Sequence, residues 1–397
     1  MIPAMSRLGA CVLVSVLALA GCSHSPVPPA TEADGVVATP PDAPAPDTPA
    51  SDAPAPETPP SPPRDLTLPT PLLPSFSAID TTQMRAHIAE LASDRYEGRG
   101  TGTPGEAMTV AYIIRELQRV GMVGGMPDGS FTQPVPLRSV QTLRADGLRF
   151  TPEAGDPIPL TYGPDLIGVP DDIREALFFD GAPMVFVGYG ITNPGYDWDD
   201  YDDVDVRGKV LVSFVNDPPA TASEPTLFQA DTLTYNGRWM YKYEEARRRG
   251  ALAMLLIHTT ETAGYPFSVL NLDPYGERYT GVEPPEGALG LAGWISESVA
   301  RRLAQASGMS LEDWFRLAGS RAFRPIDLPV TFSASMDFAQ EPGVTGTNVV
   351  AKMPGQTPES VVYTAHHDHL GVDAEREARG EDGIYNGAVD NASGVAM

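Results

Sequence analysis

Between Ser23 and about Pro74 the chain offers almost nothing to bury. The stretch is dominated by Pro, Ala, Thr and Asp, as in "PPDAPAPDTPASDAPAPETPPSPP". Such a segment is expected to stay disordered with polyproline character, acting as a spacer or tether. A stable core must therefore be assembled after it, and folded structure is expected to begin near Ile79. The chain has 397 residues. That leaves enough length beyond the spacer for two domains and a generous core.

The segment before the spacer explains both cysteines. "MIPAMSRLGACVLVSVLALAGC" carries Arg7, an apolar run from about Leu8 to Ala20, then Leu19-Ala20-Gly21-Cys22. The run falls short of the about 20 apolar residues that a spanning helix needs, so it reads as a secretory signal peptide. "LAGC" resembles a bacterial lipobox, which implies that Cys22 becomes the acylated first residue. Ser23 rather than Asp follows it, which by that resemblance favours an outer membrane facing the periplasm, or export. Membrane contact is expected through the lipid anchor only.

Cys11 and Cys22 are the only cysteines. The rest of the chain has no disulfide and no thiolate site, so any metal must be held by His, Asp and Glu. The formal net charge of −25 argues against nucleic acid and against electrostatic docking to an anionic membrane.

Asp80 can cap a helix whose apolar positions are Met84, Ile88 and Leu91. A second helix is predicted from about Gly105 to Val120, with Val110, Ile113, Ile114 and Leu117 on one face and Gly121 as its stop. "YEGRGTGTPGE" lies between them. It lacks the Gly-Lys-Ser/Thr ending of a phosphate-binding loop, so it reads as a connecting loop with Arg99 in a structural ion pair.

From about 142 to 328 short apolar strands alternate with turns: "APMVFVGYG", "GKVLVSFV" and "ALAMLLIH", the last preceded by the amphipathic "YKYEEARRRG". This length suits an inserted domain. The acidic "YDWDDYDDVDV" lacks the pattern of a calcium loop and reads as a solvated loop. A strand pair is then expected from "TNVVAKMPG" and "ESVVYTAHH", the second fully buried and ending in His366.

Chemistry concentrates at the end. "TAHHDHLG" places three of the six histidines and Asp368 within four positions. Ligands gather beyond the carboxyl ends of strands in α/β sheets. Strand alternation puts His366 and Asp368 on one side, His367 and His369 on the other. His366 can ligate a metal through one ring nitrogen while Asp368 accepts the other N–H. The same residues could also form a polar turn. In "YNGAVDNASGVAM", Asp390 could bridge two cations or cap the helix that "ASGVAM" begins.

"AHHDHLG" followed by "NGAVDNASG" resembles the His-x-Asp and Asp-Asn-x-Ser-Gly signatures of the bimetallic zinc aminopeptidases, relatives of glutamate carboxypeptidases and transferrin receptors. "EGRGTGTPGE" resembles that family's N-terminal region. "VFVGYGITNPGYDWDDYDDVDVRGKVLV" and "KYEEARRRGALAMLLIH" resemble a protease-associated domain.

The resemblance implies an α/β fold: an α/β/α sandwich with a mixed sheet, incomplete here, plus a mainly-β insertion. The expected organisation is a signal peptide at 1–21, a tether at 22–74, a first peptidase part at 75–141, the insertion at 142–328 and a second peptidase part at 329–397. It further implies that His366 binds one of two zinc ions, that Asp390 bridges both, and that Asp368 orients His366. Two metals about 3.5–4 Å apart activate water for attack on a peptide carbonyl. Peptides would be the substrates, with aminopeptidase activity foremost.

The family's Glu-Glu pair, later Asp and distant His follow the bridging Asp. This sequence ends seven residues after Asp390, counting from 390 to 397. It is therefore expected to be the N-terminal portion of a longer protein and inactive alone. A carboxypeptidase, a glutaminyl cyclase and a non-catalytic scaffold lipoprotein are the alternatives on the same fold.

Overall fold

Val210–Phe214 and Ala253–His258 are buried at every position. Strands apolar on both faces need cover on both, and this is the pattern of parallel strands inside a layered sheet. The computed structural model describes residues 79–397 apart from 203, 231 and 358, so the leader, Cys22 and the tether lie outside the described residues.

Eight strands carry the main sheet: β1 (Thr132–Pro152), β2 (Leu166–Val169), β3 (Ala176–Phe186), β4 (Val210–Phe214), β5 (Ala253–His258), β6 (Arg278–Gly281), β7 (Leu291–Ser296) and β8 (Ile326–Val349). Their order is β6-β1-β8-β3-β4-β5-β7-β2, with a short ninth strand, Ile158–Pro159, beside β1. Strands β3, β4, β5 and β7 run parallel, and the pairings outside them are antiparallel. The sheet is mixed, and the protein is α/β.

Period-two alternation sorts the central strands into two cores. Val210, Val212, Phe214, Leu255 and Ile257 face helices Glu297–Ala306 and Leu311–Ala318, through Val299, Leu303 and Trp314. Leu211, Met254 and Leu256 face the opposite way, toward Tyr243 and Ala246 of helix Trp239–Arg248. Trp314 lies flat on Phe186 at 4.3 Å between ring centroids and is fully buried. Ser310 and Asp313 close a capping box at the start of the Trp314 helix.

The acidic loop differs from expectation at Asp200. It is 1% exposed and accepts hydrogen bonds from Ile191 N–H and Trp198 Nε1–H. Burial pushes its pKa up, against these bonds and the charge of buried Lys242. Trp198 and Tyr201 beside it are buried too, so the loop folds inward around its aromatics.

The strand pair expected before the histidine cluster does not form. Val349 ends β8, and Ala351–Lys352 pair only with Val123–Gly124. Residues 359–366 hold no strand, and Val361, Val362 and Tyr363 are 77–92% exposed. Alternation and apolar content favour a strand, but a strand also needs a hydrogen-bonding neighbour, and among the described residues none lies alongside.

Truncating Trp314 to Ala removes the largest fully buried side chain. It is expected to lower stability by about 3–5 kcal/mol in urea unfolding. A loss below about 1 kcal/mol would show that this face of the sheet is not packed as described.

Candidate metal centre

The two N-terminal helices form close to where they are expected, the first at its predicted cap and the second one residue before Gly105. Asp80 accepts from Thr82 and Gln83 N–H at the start of α1 (Thr81–Leu91). Thr103 caps α2 (Pro104–Arg119), with Pro104 at its first position and Gly121 in a left-handed turn beyond it. Leu91, Tyr96 and Tyr112 make a small core that also buries Ala392. That core fixes the 386–397 segment against α1 and α2.

Between the helices, Glu97, Gly98 and Arg99 all adopt positive φ. At Gly98 a Cβ would overlap the Gly371 carbonyl oxygen, so only glycine permits the approach. The approach is hydrogen-bonded: Gly371 N–H donates to Gly98 O at 3.0 Å and His369 N–H to Arg99 O at 3.1 Å. Tyr385 N–H in turn donates to Gly371 O at 3.0 Å. The glycine-rich loop is thus a backbone dock for the histidine motif.

Arg99 is 1% exposed and makes no ion pair among the described residues, contrary to the sequence expectation. Its Nε donates to His367 O at 2.8 Å and Nη1 to Leu91 O at 2.5 Å and Asn386 O at 2.7 Å. Nη2 donates to Gly387 O at 2.8 Å. Burial lowers its pKa, and the charges of Asp368 and Asp390 oppose that shift. Sequence reasoning missed this role. An arginine among glycines points as readily to the surface as into a cradle of carbonyls.

His366 and Asp390 come together. His366 Nε2 lies 2.9 Å from Asp390 Oδ1. The other ring nitrogen, Nδ1, lies 3.1 Å from the Asp368 backbone carbonyl and 3.5 Å from its side-chain Oδ1. Both ring nitrogens therefore face acceptors, which a neutral imidazole cannot satisfy. A second ring proton, a proton on the Asp390 carboxyl or a cation on the Nε2 side would each satisfy this contact. Asp368, chiefly through its side chain, raises the His366 pKa against the effect of burial. Burial acts to raise the Asp368 pKa, but His366 outweighs it and holds the carboxyl below its ordinary value.

Asp390 does not cap the final helix. Helix Ser393–Ala396 is preceded by Ala392, and it is Asn391 Oδ1 that accepts Gly394 N–H at 3.1 Å. Asn391 Nδ2 also donates to His366 O at 3.2 Å, which ties the two motifs directly. His367 points elsewhere: its Nε2 is buried without a hydrogen-bond partner, 3.7 Å from Glu106 Oε1. Buried Glu106 accepts from Gly102 N–H and Thr347 N–H. His369 is partly buried, which lowers its pKa.

Among the described residues no group of three His, Cys, Asp or Glu is arranged to hold a metal ion. An imidazole nitrogen and a carboxylate oxygen are donors that suit zinc. The His366–Asp390 pair therefore fits such an ion in kind and supplies part of its coordination.

Residues 348–397 match the sequence model of Peptidase family M28, and both His366 and Asp390 fall inside that match. No curated protein matches the chain. Among solved structures, the aminopeptidase from Aneurinibacillus sp. strain AM-1 is 18% identical with a TM-score of 0.30 over 80% of this chain and 57% of its own. BSAP, a zinc aminopeptidase from Bacillus subtilis, is 15% identical with a TM-score of 0.29 over 80% of this chain and 55% of its own. The chain thus spans little more than half the length of either protein, and neither TM-score is high enough for the likeness to bear on fold or function.

Replacing Gly98 by Ala is expected to cost roughly 1–3 kcal/mol, from strain at positive φ and displacement of the Gly371 carbonyl. Amide exchange at His369 and Gly371 should accelerate in the variant. Unchanged exchange at both would mean that the loop does not dock the histidine motif.

Proposed function

We propose that the protein is a zinc-dependent peptidase of the M28 type, acting as an aminopeptidase on peptides with a free N-terminus. One observation carries the proposal: His366 Nε2 and Asp390 Oδ1 converge to 2.9 Å inside the segment that matches the peptidase family. In this reading His366 and Asp390 hold metal. Asp368 keeps the His366 Nδ1 proton directed at itself, which leaves Nε2 free as a donor. Zinc, when bound, supplies Lewis acidity toward water and the peptide carbonyl.

The remaining ligands and a general base are proposed to come from outside the described residues, and two ions rather than one are proposed for the complete site. The described residues by themselves are proposed to lack activity. Residues 142–328 are proposed to be an inserted protease-associated domain that borders the site, between peptidase parts at 75–141 and 329–397. Cys22 is proposed to carry a lipid that anchors the protein in the cell envelope.

A second reading, a non-catalytic binding lipoprotein on this fold, is favoured by the short donor set among the described residues.

The test uses the protein at its full native length with an aminoacyl peptide and its N-acetylated twin. The first should be cleaved and the second spared. A chelator should abolish cleavage and zinc should restore it. His366→Ala and Asp390→Ala should each lower kcat/KM beyond the roughly 10–100-fold that loss of an outer-shell partner gives, whereas Asp368→Asn should fall within that range. Equal cleavage of the acetylated peptide would exclude an aminopeptidase. Zinc binding without any cleavage would favour the second reading.

For the anchor, a palmitate analogue should label the wild type in cells and fail to label Cys22→Ser. Equal labelling of both would rule out acylation at that residue.

A further inference from the structure

Arginine carries five N–H donors in a rigid planar fork. In Arg99 four of them are engaged, and every acceptor is a backbone carbonyl. Those carbonyls belong to three separate segments. Leu91 ends the first helix, His367 follows His366, and Asn386 and Gly387 precede Asp390. One planar group thus fixes the spacing of the two loops that carry the metal-type donors, from below and out of solvent. Gly387 completes the fit: its φ is +58°, and a Cβ there would run into Arg99 Nη2.

We propose that Arg99 is a positioning residue that sets the separation of the His366 and Asp390 loops and thereby the metal affinity of the site. This rests on the metal-binding reading above. Geometry and charge work in opposite directions here. The fork holds the two donors in place for one cation, while the positive charge, electrostatically coupled to Asp368 and Asp390, disfavours that cation. The proposal states that geometry wins. A side chain that merely filled space and stabilised the loops would affect zinc binding and folding alike.

Zinc affinity, measured by competition with a chromophoric chelator on the full-length protein, separates these cases without recourse to activity. Arg99→Lys keeps the charge and loses the fork. It should weaken zinc binding at least about 10-fold, as the loss of a partner that orients ligands does. In an Asp390→Ala background the two-loop geometry no longer serves two donors. There the same replacement should change affinity by less than about 2-fold, the non-additivity expected of residues acting as one unit.

An Arg99→Lys affinity within about 2-fold of wild type would overturn the proposal. So would an equal loss with and without Asp390, which would mark general destabilisation. Tighter binding by Arg99→Met would overturn it in favour of the charge. Should the Arg99 variants not fold, Gly387→Ala perturbs the same fork from the other side and must give the same Asp390-dependent loss. If wild type binds zinc no better than His366→Ala, the metal reading itself fails, a result distinct from any change at Arg99.

Discussion

A single buried guanidinium holds the candidate site in register. Backbone carbonyls of irregular loops cannot be buried without donors. The loops that carry His366 and Asp390 have no sheet of their own to supply them. Arg99 supplies four such bonds at once, from a loop whose positive-φ residues turn its side chain under both motifs. The small core of Leu91, Tyr96, Tyr112 and Ala392 then seals the arrangement from the other side.

Much of the regular structure was legible in the sequence, because it follows from local rules. The cap at Asp80, the apolar spacing of Val110 and its neighbours and the stop at Gly121 placed the helices. The apolar stretches at Val210–Phe214 and Ala253–His258 marked strands, which the structure covers on both faces. What could not be read depended on partners distant in sequence. The segment before His366 has strand composition, yet strands require neighbours, and Val361–Tyr363 lie exposed. Arg99 had little local to announce it, since only Leu91 O lies nearby and three of its four carbonyls lie more than 260 residues away.

The candidate site was legible in its residue types and only partly in its geometry. The spacing of His366 and Asp368 suggested one ring held by the next-but-one residue. The backbone carbonyl of Asp368 lies nearer to Nδ1 than its carboxylate does. Asp390 left two readings open, and the geometry argues against the cap: in the helix after it, Gly394 N–H donates to Asn391 Oδ1 and not to Asp390. The acidic loop misled for a different reason. Composition describes an average environment, while Asp200 is drawn inward by two specific donors.

Strands β1 and β8 pair from Val330↔Pro152 to Val349↔Thr132, with register shifts at three points. One end of this ladder belongs to the central sheet. The other reaches the α2 carboxylate of Glu106 through Thr347 N–H at 2.9 Å. In such an antiparallel ribbon hydrogen-bonded residue pairs alternate with non-hydrogen-bonded ones, and each bulge adds local twist. The large sheet is thereby tied to the carboxylate beside His367 through one continuous hydrogen-bonded path.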